Sequence, residues 1–214
     1  MNVWIDALIV LVVLTNLKLL GSSRLVPCIR ILALQGVVLG LLPLVAGVEP
    51  ITVRMVIVAA VSIGLKGAVL PWLLMRALRG ADVRREIEPL VSYGMSLLIG
   101  MAALPGALWI GSRLPLPDPR VSSLLVPTAL FTMMVGMFLI VSRKKALTQV
   151  LGYLAIENGV YAIGMALAQE QPLLVEMGIL LDVFAAVFVM GITLFRISRE
   201  FDNIDTDEMA LLKD

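Results

Sequence analysis

The chain of 214 residues is 60% hydrophobic and 15% charged, whereas a soluble globular domain is about 45–50% apolar and about 25% charged. Its formal net charge is +1, and it has one cysteine, Cys28, and no histidine. This composition excludes a soluble enzyme, a nucleic-acid-binding protein and a disordered chain, and it indicates an integral membrane protein without a ligand cluster for haem, zinc or iron–sulfur centres.

Seven apolar stretches follow one another along the chain, and each is close to the roughly 20 residues that a helix needs to cross the hydrocarbon layer. They cover residues 3–20, 26–47, 52–78, 89–111, 123–142, 146–168 and 173–197. Backbone groups in lipid must be satisfied within the segment, and the sequence lacks the alternating pattern of a barrel. We therefore expect an all-α membrane protein with about seven transmembrane helices.

The prolines between the fourth and fifth stretches predict the main internal boundary. Residues 114–119 contain three prolines, which remove backbone donors and prevent a helix from continuing. The predicted organisation is a four-helix N-terminal membrane region over 1–122 and a three-helix region over 123–197. An acidic, polar tail follows over 198–214, and we expect it at the cytoplasmic surface.

The distribution of lysine and arginine predicts that the N-terminus lies outside and the C-terminus inside. With this orientation, the outer segments hold only Arg54, Arg113 and Arg120, Lys66 lies within the membrane, and every other basic residue falls on the inner side. Cytoplasmic segments of membrane proteins carry such an excess of basic residues. Because residues 3–20 lack a preceding basic region and a following cleavage site, we interpret them as the first membrane helix.

Lys66 is the most unusual residue of the third stretch, because it lies near the middle of the predicted helix. An ionisable side chain at that depth costs at least about 2.5–3.5 kcal/mol on insertion scales, so it is a candidate functional residue. Pro71 follows five residues later and can kink the helix. Two interpretations are open, namely a lysine that exchanges protons and a structural ion pair with a carboxylate of another helix.

Glu157 is the corresponding candidate in the sixth stretch, about 17 Å from the start of its helix. Asn158 provides a donor and an acceptor beside it, and Gly159 permits close approach of another helix. Gly36 and Gly40 form a similar small-residue packing motif in the second stretch. We interpret Glu157 as a carboxylate that gains and loses a proton, with a hydrogen-bonded clamp between helices as the alternative.

Asp182 completes the set of candidates, about 15 Å from the start of the seventh stretch. Glu176 lies six residues earlier and points about 120° away from it, so contact with a partner or an interfacial position is as plausible as a place on an ion path. Lys66, Glu157 and Asp182 come from three helices at similar depth. We therefore expect a lateral row of charged side chains and water, along which a charge change at one site affects its neighbour.

Several segments resemble component E of hydrogenase-4, the membrane-arm subunit of group 4 hydrogenases and formate hydrogenlyases. The similar segments are Gln149–Gly159, Leu174–Asp182, the tail residues Asn203–Asp205, and Lys66 with Pro71. The resemblance extends over nearly the whole chain.

The last three predicted helices also resemble subunit K of bacterial complex I and its small counterpart in Mrp antiporters, both of which are three-helix proteins with two intramembrane glutamates. Relative to that pattern, Glu157 is displaced by about one turn, and Asp182 stands where the second glutamate lies. The charge pattern is similar although the residues differ in detail.

The resemblance implies a subunit without a catalytic centre of its own, in the membrane arm of a complex I-like hydrogenase or related oxidoreductase in the inner membrane of a prokaryote. Antiporter-like membrane subunits would be its partners, and they or other partner subunits would hold the nickel–iron and iron–sulfur centres, with no metal or cofactor in this chain. The chain would contribute a hydrated lateral path for protons or other ions. A purely structural spacer of the same arm is the alternative, and an independent small-solute transporter ranks third, because the sequence shows no inverted repeat.

Overall fold

The computed structural model describes residues 3–46, 53–80, 89–114, 122–167 and Gly191. The structure is 90% helical, and the described residues form no β-strand. Five helical segments are long and apolar enough to cross a membrane, at 4–21, 25–45, 56–79, 93–113 and 125–142. These findings confirm the prediction of an all-α, multi-pass membrane protein. The orientation and the total of seven helices stay predictions, and the stretch 173–197 lies outside the described residues.

The helices follow the predicted stretches closely. They are α1 (Val3–Gly21), α2 (Leu25–Ala46), α3 (Val53–Gly64), α4 (Leu70–Gly80), α5 (Tyr93–Arg113), α6 (Leu125–Ser142) and α7 (Ala146–Leu167). A π-helical turn, Leu65–Val69, joins α3 to α4 without a break. The third predicted stretch is therefore one continuous span with a wider turn at its centre.

The start of α5 differs from the predicted position at residue 89, and a capping side chain accounts for the difference. Ser92 has an extended backbone, and its hydroxyl oxygen accepts a hydrogen bond from the backbone N–H of Met95 at 3.4 Å. Serine at this position satisfies a donor that has no partner within the first turn of a helix. The helix consequently begins at Tyr93, and residues 89–92 precede it as a non-helical segment.

Helices α6 and α7 form the most extensive helix pair of the described structure. A Cβ atom added to Gly136 would lie 2.5 Å from the carbonyl oxygen of Gly152, and one added to Gly152 would lie 2.7 Å from that of Gly136. Atoms cannot approach this closely, so the two backbones touch because both residues lack side chains. Gly159 continues the seam, with the carbonyl oxygen of Ala129 at 2.8 Å from its added Cβ.

Helices α1 and α2 pack against this central pair. Helix α1 contacts α2, α5 and α6, while α2 contacts α3, α4, the π-helical turn and α7. The two glycines of the predicted packing motif in α2 face the third span, where an added Cβ on Gly40 would meet Ile63 Cγ1 at 2.6 Å. The third span and α7 thus both reach α2, and their polar side chains meet beside it.

Candidate functional site

The π-helical turn is the local structure that positions Lys66. Its closing hydrogen bond runs from the backbone N–H of Leu70 to the carbonyl oxygen of Leu65, five residues earlier. Pro71 follows directly, lacks an N–H to bond the carbonyl of Gly67, and has a ring that would crowd that carbonyl in a regular helix. A wider turn relieves this conflict, since π-turns insert one residue into an α-helix. The predicted irregularity at Pro71 is therefore a local widening of the helix.

The base of the Lys66 side chain lies directly against α2. An added Cβ on Gly36 would collide with the Cβ of Lys66, so only glycine leaves room for the lysine at this crossing. Gly36 belongs to the small-residue motif Gly36/Gly40, whose function in such helices is to permit close approach. The backbone of α2 thereby fixes the point from which the lysine side chain extends.

Lys66 and Glu157 form a buried ion pair between the third span and α7. The Lys66 Nζ atom lies 3.9 Å from Glu157 Oε1, and the two side chains are 5% and 3% exposed. The ammonium also donates a hydrogen bond to Asn158 Oδ1 at 3.3 Å and lies 5.2 Å from the centre of the Tyr161 ring. The structure thus brings three of the predicted site residues together.

A cavity of about 20 Å³ adjoins the ion pair, and Lys66, Glu157, Asn158 and Pro71 are among the residues that line it. This volume is sufficient for about one water molecule, which needs at least about 10–15 Å³ and several polar partners. A distance of 3.9 Å is too long for a direct hydrogen bond but suits transfer through one bridging water. The arrangement can therefore pass a proton between the lysine and the carboxylate by way of water.

Not every predicted site residue can be placed. Asp182 and Glu176 lie outside the described residues, so the lateral row is seen for Lys66 and Glu157 alone. Gly159 lies at the α6–α7 seam and contributes no polar atom to the pair. Within the described ranges, no group of three or more histidine, cysteine, aspartate or glutamate side chains could hold a metal ion.

A network of uncharged polar side chains extends from this pair into the protein, and the sequence interpretation missed it. Asn158 Nδ2 donates to Gln35 Oε1 at 3.5 Å. Gln35 Nε2 in turn donates to Asn16 Oδ1 at 2.9 Å and to Thr15 Oγ1 at 2.8 Å. Gln35 and Asn16 are completely buried. The signal that could have revealed them is an amide side chain in the middle of an otherwise apolar stretch.

The network continues from α1 to α6. Asn16 Nδ2 donates to Thr132 Oγ1 at 2.7 Å, and the Thr132 hydroxyl donates to the backbone carbonyl of Thr128 at 2.7 Å. The Thr15 hydroxyl likewise donates to the carbonyl of Val12 at 2.7 Å. Polar side chains of four helices and the π-helical turn are thus joined in one buried network.

Arg143 is a second residue whose position the sequence did not indicate, because it looked like one of three basic residues in a short loop. It is only 2% exposed. Its guanidinium donates to the carbonyls of Leu20 and Val91, both at 3.1 Å, and to Ser96 Oγ at 3.3 Å. The Leu20 carbonyl is in the last turn of α1, where carbonyls lack partners within the helix. Arg143 therefore ties the ends of three helices together.

Comparison with known proteins identifies relatives of this chain. Residues 124–214 match the model of the family described as NADH-ubiquinone/plastoquinone oxidoreductase chain 4L. The "Uncharacterized protein Rv0085" of Mycobacterium tuberculosis (strain ATCC 25618 / H37Rv) is 34% identical over 203 residues, which cover 94% of this chain and 92% of that protein.

Hydrogenase-4 component E of Escherichia coli (strain K12) is 30% identical over 134 residues. The aligned part covers 62% of this chain and 62% of that protein. No solved structure is significantly similar to the chain. Taken with the family model and the nearly full-length relative, these similarities show that the chain belongs to the hydrogenase-4 component E family, with a C-terminal region of the chain 4L type.

Proposed function

We propose that the chain is a non-catalytic membrane-arm subunit of a complex I-like redox complex and that Lys66 and Glu157 form part of a lateral proton path through it. The relationship to component E and to chain 4L supports the place in a membrane arm. Antiporter-like subunits would be its neighbours in a prokaryotic inner membrane. Electron transfer would take place on partner subunits that hold nickel–iron and iron–sulfur centres.

The observation that carries the proton path is the buried ion pair beside a water-sized cavity. At 3.9 Å, the attraction between two unit charges is about 4 kcal/mol with an effective dielectric constant of about 20. A proton taken up by the carboxylate removes this attraction and weakens the hold on the lysine. Each protonation event at one group thereby changes the proton affinity of the other, which is the property that a lateral relay requires.

The direction of the path follows from the depth of its members. Lys66 lies near the centre of its span, and Glu157 lies halfway along α7. A charge that passes between them moves within the membrane plane rather than across it. Asp182 would extend the same row on the next predicted helix, and neighbouring subunits would provide entry and exit.

Substitution of Glu157 by glutamine in the intact complex tests the proposal. After reconstitution in vesicles, we expect Glu157→Gln to abolish redox-driven acidification while the complex assembles and electron transfer continues. Asp6→Asn is the matched control, because it makes the same chemical change at a carboxylate that accepts a hydrogen bond from Ser122, away from the pair. Full pumping by Glu157→Gln would refute the proposed role.

A static ion pair in a spacer subunit is the second candidate function, and the close contact of two oppositely charged, buried groups favours it. A charge exchange, Lys66→Glu with Glu157→Lys, separates the two candidates. A static pair needs only opposite charges, so the exchanged variant would assemble and pump normally. A proton path needs each group at its own place in the row, so the exchanged variant would assemble without pumping.

A further inference from the structure

All hydrogen bonds of the buried network that starts at Lys66 run in the same direction. Lys66 donates to Asn158, Asn158 donates to Gln35, Gln35 donates to Asn16, and Asn16 donates to Thr132. In each of the three amides, the oxygen faces the lysine and the nitrogen faces away from it. We call this series of four hydrogen bonds the amide chain.

The far end of the amide chain sets this direction. A threonine hydroxyl has one proton, and Thr132 gives its proton to the carbonyl of Thr128. Because that carbonyl can only accept, the Thr132 oxygen is left to accept from Asn16. Asn16 must then present its nitrogen to Thr132 and its oxygen to Gln35, and the same logic orients Gln35 and Asn158 in turn.

A side branch reinforces the orientation of Gln35. The Thr15 hydroxyl is engaged with the carbonyl of Val12, so its oxygen also accepts from Gln35 Nε2. Both hydrogens of this amide are therefore directed toward α1, and its oxygen is directed toward α7. A reversed amide would face two acceptors with its oxygen, which is costly in a buried site.

We propose that Gln35, Asn16 and Thr132 are positioning residues, which orient the Asn158 oxygen toward Lys66 and thereby stabilise its ammonium group in the charged form within the membrane. The inference deepens the proposed proton path, on which its functional meaning rests, and it concerns residues outside the ion pair itself. Three amide dipoles, aligned with their negative ends toward the cation, polarise one another. Their combined effect on the charge exceeds that of Asn158 alone.

The test is whether Thr132 senses the charge on Lys66 from four hydrogen bonds away. Residues that far apart without a shared partner normally contribute additively to stability. We expect Thr132→Val, which removes the hydroxyl but keeps the shape, to lower the thermal midpoint of the purified complex by roughly 2–8 °C. In a Lys66→Met, Glu157→Gln background, where the pair carries no charge, the same substitution should lower it by less than half as much.

Two further variants control the measurement. Thr132→Ser keeps the hydroxyl, so it should restore most of the midpoint and of the coupling to Lys66. Thr148→Val makes the same substitution at another buried threonine, which lies beside Arg143 at the end of α7, and its effect should be equal in both backgrounds. Equal effects of Thr132→Val in both backgrounds would overturn the proposal and leave the network as ordinary helix packing.

If the charge-free background fails to assemble, a measurement within the Lys66-containing complex answers the same question. Gln35→Leu and Thr132→Val both break the amide chain, so the double variant should lose no more than the more severe single variant, whereas a full sum of the two losses would contradict the chain. These outcomes are independent of pumping. The amide chain can thus be refuted while the proton path stands, and the Glu157→Gln assay can refute the path while the amide chain stands.

Discussion

Removal of the positive charge from the buried pair gives the sharpest prediction of stability. Lys66→Met preserves the length and much of the shape of the side chain but leaves Glu157 in the same buried position, 3% exposed. A buried ion pair contributes little beyond its desolvation cost, but the loss of one partner is severe, because the remaining charge keeps that cost without compensation.

The structure sets the size of the effect. The interatomic distance of 3.9 Å corresponds to about 4 kcal/mol of lost attraction at an effective dielectric constant of about 20, which lies within the roughly 3–5 kcal/mol measured when one partner of a buried pair is removed. For a chain of about this length, each kcal/mol changes the thermal midpoint by roughly 2–4 °C. We expect Lys66→Met to lower the midpoint by roughly 6–20 °C.

The assay is thermal unfolding of the purified complex, followed by size-exclusion chromatography of the heated samples. Addition of Glu157→Gln to Lys66→Met should recover at least half of the lost midpoint, because the double variant buries no net charge. Lys18→Met is the matched control, since Lys18 is exposed in the last turn of α1, and it should leave the midpoint within about 2 °C of the native value. A Lys66→Met variant as stable as the native protein, or a double variant with the summed losses of both single ones, would refute a buried pair.

Three further predictions concern the rest of the fold. Gly152→Ala should destabilise the α6–α7 seam by roughly 2 kcal/mol or more, seen as a lower thermal midpoint, because its Cβ would overlap a carbonyl oxygen of α6, whereas Gly164→Ala, which meets nothing within 4 Å, should be neutral or slightly stabilising. Arg143→Met should lower the thermal midpoint by roughly 4 °C or more through the loss of three charge-assisted hydrogen bonds, and Lys144→Met, at an exposed position, should change it little. In a cysteine-free background, a cysteine at Lys144 should react with an impermeant thiol reagent only from the cytoplasmic side of the membrane and one at Ser122 only from the opposite side, and the reverse pattern would contradict the predicted orientation.

Charge made the principal site residues predictable from the sequence. Lys66 and Glu157 are ionisable groups far from the ends of apolar stretches, where they are rare because of their cost. The sequence also favoured the correct helix boundaries to within a few residues, since the length of an apolar run reflects the thickness of the hydrocarbon layer. Residues that are costly to bury thus indicate the candidate site before any contact is known.

Uncharged polar residues carry no comparable signal. Gln35, Asn16 and Thr132 could each have faced lipid, water or another helix, because amides and hydroxyls occur throughout membrane helices. Their connection depends on which faces of four helices meet, which is a property of the packing. Arg143 was missed for a related reason, since its position next to two lysines is typical of an exposed loop at the membrane surface.

The contact between Gly36 and the base of Lys66 limits how this lysine can move. Its first side-chain carbon is held against a neighbouring backbone, so the ammonium swings on a fixed pivot, and only the remaining methylene groups can change conformation. Such an arm serves acceptors within its own radius and leaves longer transfers to water or to another side chain. The glycine opposite the lysine therefore determines the reach of the charge, although it has no polar group of its own.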